Sequence, residues 1–180
     1  DQRISENNYL HQQIKAIASE LIGLDINAAG IAKLIEFGFE AYAANIEKDF
    51  DLLNELAERV DIIVVPEVVE HLNNVGLFLD NLRRTKFTGE ILISVPNSFS
   101  YRSINALNQN IELVHPDHNY YFSYTTLTGL LKKYDFKIEK YAMYYWPSND
   151  ELGRRFEQVV RKYPYSAEGI IVVIRNGVSV

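Results

Sequence analysis

The sequence predicts an α/β fold with a largely parallel β-sheet. Asp61-Ile-Ile-Val-Val65 and Glu90-Ile-Leu-Ile-Ser-Val95 are almost wholly apolar, and the first is rich in β-branched residues. Strands covered on both faces read this way. In addition, segments of helical spacing alternate with strand-like runs along the whole chain, as parallel crossovers require.

The elements follow in order. Leu10, Ile14, Ile17 and Ala18 recur at helical spacing. Leu21-Ile-Gly-Leu-Asp-Ile26 is a short apolar strand interrupted by an acid. Residues 28–37 return to helical spacing and stop at Gly38, a C-cap signal. Residues 40–44 read as a weaker strand and 49–59 as a helix. The strand at 61–65 is stopped by Pro66, and a helix is expected over 75–85. Gly89 turns the chain into the strand 90–95, which Pro96-Asn97 ends. The polar and aromatic stretch from Ser98 to Tyr124 reads as a long loop. A helix over 125–134 follows, with Ser123 or Thr125 as N-cap. Then come a strand over 137–145, an amphipathic helix over 149–162 and a last strand over 168–175. The short link between the last two strands leaves room for one to run antiparallel.

With 180 residues and 47% hydrophobic content, the chain suits a single domain over residues 1–180. Cysteine is absent, which excludes disulfides, thiolate metal sites and thiol nucleophiles and agrees with a cytoplasmic setting. The net charge of −6 disfavours a nucleic-acid partner held through its phosphates. Arg83, Arg84 and Lys86 form a dense basic cluster, but cations at a helix end simply complement its dipole. No apolar run is long enough for a membrane span, and no signal-peptide pattern is visible.

In open α/β sheets, ligands bind beyond the carboxyl ends of the strands. That directs attention to Asp25-Ile-Asn27, Asn45-Ile46, Pro66-Glu-Val68 and Pro96-Asn97. Asp25 could accept hydrogen bonds from ribose hydroxyls or cap the next helix. Glu67, Glu70 and His71 share one face if 67–72 form a helical turn; they could hold a divalent cation or serve the helix dipole. His115-Pro-Asp-His118 offers a further metal ligand or a general base, or only a rigid turn. Tyr120, Tyr121, Phe122, Tyr124, Tyr144, Tyr145 and Trp146 lie near the expected cleft, and at most half are expected to meet a ligand.

Three strings taken together are specific. Asp61-Ile-Ile-Val-Val-Pro-Glu-Val-Val-Glu-His-Leu72, Gly89-Glu-Ile-Leu-Ile-Ser-Val-Pro-Asn97 and His115-Pro-Asp-His-Asn-Tyr-Tyr-Phe-Ser123 resemble class I S-adenosylmethionine-dependent methyltransferases. Leu21-Ile-Gly-Leu-Asp-Ile26 is similar to their second strand with its acid. The resemblance implies a Rossmann-like three-layer α/β/α domain. Its seven-stranded sheet is mostly parallel, with an antiparallel last strand pair, here residues 137–146 and 168–175.

The resemblance also implies roles. Asp25 would bind the cofactor ribose and Ile26 would flank the adenine, with Asn45 and Ile46 nearby. Pro66, Glu67 and Val68 would line the cleft at the methionine moiety. Glu67-x-x-Glu70-His71 with His118 further resembles the divalent-cation arrangement of small-RNA 2′-O-methyltransferases, and ubiquinone-pathway O-methyltransferases carry a related string. His118 and His71 are the expected general bases for methyl transfer to a small-molecule or sugar-like acceptor.

The Gly-rich loop that ends the family's first strand has no counterpart, since no glycine precedes Gly23. A side chain there would narrow the cofactor cleft. Two expectations follow: the first strand lies upstream of Asp1, or the loop has degenerated. In the second case the chain is a non-catalytic methyltransferase-like binding or assembly module. A nicotinamide-dependent dehydrogenase ranks last, because nothing matches Gly-x-Gly-x-x-Gly.

Overall fold

The structure is a computed structural model that describes residues 10–146 and 151–177. It comprises two compact units, Asp1–Leu52 and Leu53–Val180.

The first unit contains α1 (Leu10–Lys15), β1 (Ile22–Asp25), α2 (Ala28–Glu36) and β2 (Glu40–Ala43). β1 and β2 pair in parallel, with Ile22 opposite Glu40 and Asp25 opposite Ala43. α2 starts where Asn27 Oδ1 accepts the Gly30 N–H at 3.1 Å. It ends at Phe37, and Gly38 then takes φ +82°, a conformation that glycine adopts without a Cβ penalty. α3 (Phe50–Ala57) spans the junction between the units in sequence.

The second unit continues with β3 (Ile62–Pro66), a 3₁₀ turn (Val69–His71), α4 (Val75–Arg84), β4 (Glu90–Pro96) and α5 (Tyr101–Leu107). Next come α6 (Tyr124–Lys133), β5 (Phe136–Tyr144), α7 (Glu151–Lys162), a 3₁₀ turn (Pro164–Ser166) and β6 (Gly169–Asn176). The sheet order is β3-β4-β6-β5. β3 and β4 are parallel, while β6 runs antiparallel to both β4 and β5.

β4 and β6 are the centre of this sheet and its driest part. Ile91, Ile93, Val95, Ile170, Val172 and Ile174 are fully buried. Phe78, Leu79 and Leu82 of α4 and Leu127 and Leu131 of α6 complete the core. Each such side chain contributes roughly 1.5–3 kcal/mol of burial. β5, at one edge, carries a bulge between Ile138 and Lys140, a device that blunts an exposed edge.

Several expectations are corrected. β3 is not covered on both faces: Ile62 and Val64, two residues apart and so on one face, are 56% and 39% exposed. The stretch 98–124 is not all loop. It contains α5, whose N-cap Ser100 accepts the Ser103 N–H at 3.1 Å. α5 buries none of its residues, and its seven residues offer only one short pass of helical spacing, Tyr101, Ile104 and Leu107, within a polar stretch. Ser123, not Thr125, caps α6, in a reciprocal capping box with Thr126. The resemblance implied seven strands in one sheet, whereas six strands in two sheets occur among the described residues. Residues 1–9, where the Gly-rich loop would finish, lie outside the described residues, as do 149 and 150 of the expected last helix.

Candidate active site

Pro66 ends β3, and Glu67 then adopts φ +50°. A non-glycine residue held there costs about 1–2 kcal/mol and needs support from its surroundings. The support is visible. Glu67 N–H donates to the Ser94 carbonyl at 3.0 Å. Glu67 Oε1 accepts from Ser94 Oγ at 2.8 Å and from Tyr144 Oη at 2.7 Å. Burial first, and then the Glu67 carboxylate, push the Tyr144 phenol well above the ordinary tyrosine range. Tyr144 therefore stays a donor at any physiological pH.

Two residues on, the chain enters the 3₁₀ turn, not the helical turn considered over 67–72. The turn drives Glu70 inward to 1% exposure, with neither carboxylate oxygen hydrogen-bonded. Desolvation, aided by the nearby Glu67 charge, raises its pKa to about 7. The Glu70 carbonyl accepts the Asn119 and Tyr120 N–H groups at 2.8 and 3.2 Å. Asn119 Nδ2 donates to the His71 carbonyl at 3.1 Å, and Tyr120 Oη to that of Asn73 at 3.0 Å. These bonds fasten the 115–121 loop to the turn after β3, although 46 or more residues separate them in sequence.

The loop thereby brings three histidines together. His71 Nδ1 donates to the Asp117 carbonyl at 3.0 Å, which in the neutral ring leaves Nε2 with a free lone pair. The His71 and His118 rings lie 4.6 Å apart, nearly perpendicular, and His115 lies 5.0 Å from His118. His118 Nδ1 is buried without a hydrogen-bond partner. Desolvation, then His71 and His115, lower the His118 pKa and favour its neutral form.

One ligand atom each from Glu70, His71 and His118 falls within 4.8 Å of the others. Glu67 stands outside this group, tied to Ser94 and Tyr144. Of the four expected metal residues, three therefore converge. Buried, unpartnered Glu70 and His118 atoms and an imidazole oriented through its other nitrogen are a donor set that fits a divalent cation.

A cleft of about 250 Å³ opens beside these groups, bordered by Glu67, His115, His118, Tyr121, Tyr144 and Trp146. Of the seven expected aromatics, Tyr121, Tyr144 and Trp146 line it. Phe122 is core, Tyr145 packs on Phe156, and Tyr124 packs at a tilt against Tyr141 and Tyr165. Sequence reasoning missed Ser94, yet a lone hydroxyl inside an apolar strand is a readable signal. It also missed Arg102 and Glu168, which border the same cleft.

The first unit holds the other expected residues. Asp25 is exposed at the end of β1, with Oδ1 accepting the Asn27 N–H at 2.8 Å. Its other oxygen makes no hydrogen bond among the described residues, and Ile26 beside it is 71% exposed. An oriented carboxylate next to an open apolar side chain fits a ribose and its base. Asn45 Oδ1 accepts the Glu47 N–H at 2.9 Å, while its own N–H donates to Asp49 Oδ2 at 2.7 Å; Ile46 is partly buried.

A family model described as a methyltransferase domain matches residues 8–141. The chain belongs to the class I S-adenosylmethionine-dependent methyltransferase family. Its fold is similar to that of an S-adenosylmethionine-dependent methyltransferase from Archaeoglobus fulgidus, at 19% identity and TM-score 0.53, covering 86% of this chain and 75% of that one. The small-RNA methyltransferase HEN1 is similar at 18% identity and TM-score 0.58 over 86% of this chain but only 20% of its own. The N-methyltransferase NodS from Bradyrhizobium japonicum, in complex with S-adenosylhomocysteine, matches at 12% identity and TM-score 0.50, covering 91% of this chain and 70% of that one. At these identities the likeness is one of fold. The comparison with curated protein sequences gives no match. No helix among the described residues is long and apolar enough to cross a membrane.

Proposed function

We propose that the chain acts as a single methyltransferase domain over residues 1–180, moving the methyl group of S-adenosylmethionine to a small polar acceptor held in the cleft beside Glu67. The observation that carries this reading is the Glu67–Ser94–Tyr144 network. A left-handed glutamate fixed by two hydroxyls at the end of a parallel strand, in a chain of this family, is local strain placed where ligands bind.

The cofactor supplies an electrophilic methyl group. Asp25 and Ile26 would hold its ribose and adenine, with Asn45 and Ile46 near the ring. Pro66, Glu67 and Val68 would border its methionine end. Positioning does most of the catalytic work in such a displacement. His118, kept neutral by its surroundings, is suited to take the acceptor's proton, with His71 Nε2 as the other candidate base.

A second reading rests on the Glu70–His71–His118 cluster. These three side chains would hold a divalent cation, which lowers the pKa of an acceptor hydroxyl when bound. Two imidazoles and one carboxylate favour manganese, cobalt or zinc over magnesium.

Calorimetric titration with S-adenosylhomocysteine tests the function. Micromolar binding that weakens at least tenfold in Asp25→Ala is expected. No heat up to about 1 mM, from folded protein, would leave the non-catalytic binding module as the better account.

A further inference from the structure

Arg102, the second residue of α5, borders the same cleft as Glu67 and His118. Its Nε forms a 2.8 Å ion pair with Glu168 Oε1. Glu168 is itself braced. Its Oε2 accepts the Trp146 backbone N–H at 2.8 Å, and its carbonyl accepts the Asn97 N–H at 2.8 Å. Its side chain is 13% exposed, against 55% for Arg102. The acid is thus a fixed, half-sunken support, and the guanidinium stands above it, facing solvent.

Glu168 occupies only the Nε edge of the guanidinium. The Nη1 and Nη2 groups form no hydrogen bond among the described residues. That leaves the two-pronged fork that matches a carboxylate or phosphate. Elsewhere around the cleft the charged neighbours are Glu67 and the histidines His115 and His118, and His118 is held neutral. Arg102 is therefore the one permanent cation bordering the cleft among the described residues. A neutral polar ligand would need no such fork.

We propose that Arg102, held edge-on by Glu168, anchors an oxyanion, a carboxylate or phosphate group, carried by the methyl acceptor. This deepens the methyltransferase reading and rests on the cleft being the acceptor pocket. The acceptor would enter with its anionic end at Arg102 and its reacting atom on the Glu67 and His118 side. Trp146, Tyr121 and Tyr144 offer aromatic faces for the body between them.

Trp146 is the chain's one tryptophan and borders the cleft, so its fluorescence reports occupancy. Three probes of similar shape are titrated against the full chain: benzoate, phenyl phosphate and benzamide. Saturable quenching by at least one of the two anions, with benzamide at least tenfold weaker, is expected. Which anion binds more tightly identifies the group. Arg102→Gln should weaken anion binding tenfold or more, and Arg102→Lys should restore part of it. Because Arg102→Gln strips the 13%-exposed Glu168 of its counter-charge, thermal melts accompany each titration and only folded protein is scored. Equal binding of benzamide and the anions, or unchanged affinity in Arg102→Gln, would mean that the arginine only neutralises Glu168 and would overturn the proposal. So would the absence of quenching by either anion at tens of millimolar. S-adenosylhomocysteine titration of the same samples separates the two readings. Cofactor binding without Arg102-dependent anion binding sinks the anchor alone; the reverse leaves an anion site at Arg102 but overturns the methyltransferase reading and, with it, the acceptor role.

Discussion

Tyr144 Oη donates a 2.7 Å hydrogen bond to Glu67 Oε1 across 77 residues of sequence, joining the last residue of β5 to the residue that follows β3. Ser94 Oγ, on the intervening β4, donates to the same oxygen. Two donors on one carboxylate oxygen, with the Glu67 backbone at φ +50°, fix the carboxylate against the sheet. Removing one donor should release it. Tyr144→Phe is expected to cost about 1 kcal/mol in urea denaturation, the usual net worth of such a bond. An unchanged midpoint would show that the phenol does not hold Glu67. In a spectrophotometric titration the parent should show one tyrosine that ionises later than the rest, absent in Tyr144→Phe, because burial and the Glu67 carboxylate both oppose the phenolate.

Glu70 makes stability fall as pH rises. Its folded pKa of about 7 lies above the ordinary value of 4.5, so the folded chain holds a proton that the unfolded chain releases. The stability tied to that proton is fully present below about 4.5 and is lost as pH climbs through about 7. The linkage amounts to roughly 3 kcal/mol between those limits. Glu70→Gln, which cannot ionise, should remove most of this slope and be the more stable protein at pH 8. The check is denaturation of both proteins with chelator present at pH 5 and pH 8. Parallel pH profiles would refute it.

Much of the fold was legible because its signals are local. The apolar runs of β3, β4 and β6, Gly38 after α2 and the Ser123 cap each announce themselves within a few residues. α5 was not legible, because its seven residues give only one short pass of helical spacing, Tyr101, Ile104 and Leu107, inside a polar stretch. The exposure of β3 was hidden for a different reason: a strand's own sequence does not say which of its faces another element covers. At the site, the Glu-x-x-Glu-His spacing put Glu67, Glu70 and His71 on one face, whereas in the fold only Glu70 and His71 gather with His118. A left-handed Glu67 followed by a 3₁₀ turn sends Glu67 to Ser94 and Tyr144, while Glu70 turns inward to His71 and His118. Arg102 and Glu168 meet only in the folded chain, and no spacing rule connects residues 66 positions apart.

The three converging side chains predict a proton-linked cation site. A cation binding Glu70 must displace the proton that its pKa of about 7 retains, while burial weakens proton competition at His118. Manganese affinity, read by the ion's own paramagnetic resonance signal, should therefore rise up to about tenfold per pH unit below 7 and level off above it. Glu70→Gln and His118→Ala should each weaken binding by tenfold or more. No binding at millimolar manganese, or an affinity flat from pH 5.5 to 7, would dismiss the cluster as a metal site.

Asn97 ties the segment after β4 to residues 165–168, which lead into β6. It is 4% exposed, at the end of β4, and all its polar groups are engaged. Its Nδ2 donates to the Tyr165 and Ala167 carbonyls at 2.9 and 2.8 Å, and its Oδ1 accepts the Phe99 N–H at 3.1 Å. Asn97→Ala loses three bonds and leaves two carbonyls short of a donor, a cost of roughly 3 kcal/mol. Asn97→Asp should be worse, although it is the closer match in size. Its ionised carboxylate would face those two carbonyls from a buried position, where like partial charges are poorly screened. When protonated, the same group can still donate one bond. The deficit of Asn97→Asp relative to Asn97→Ala should therefore widen as pH rises through the aspartate's elevated pKa, whereas Asn97→Ala should keep a constant deficit from the parent over the same range. Thermal melts of the three proteins between pH 5 and pH 8 measure it. An Asn97→Asp protein as stable as Asn97→Ala at pH 8 would mean that a carboxylate facing the Tyr165 and Ala167 carbonyls carries no penalty, and would refute the argument.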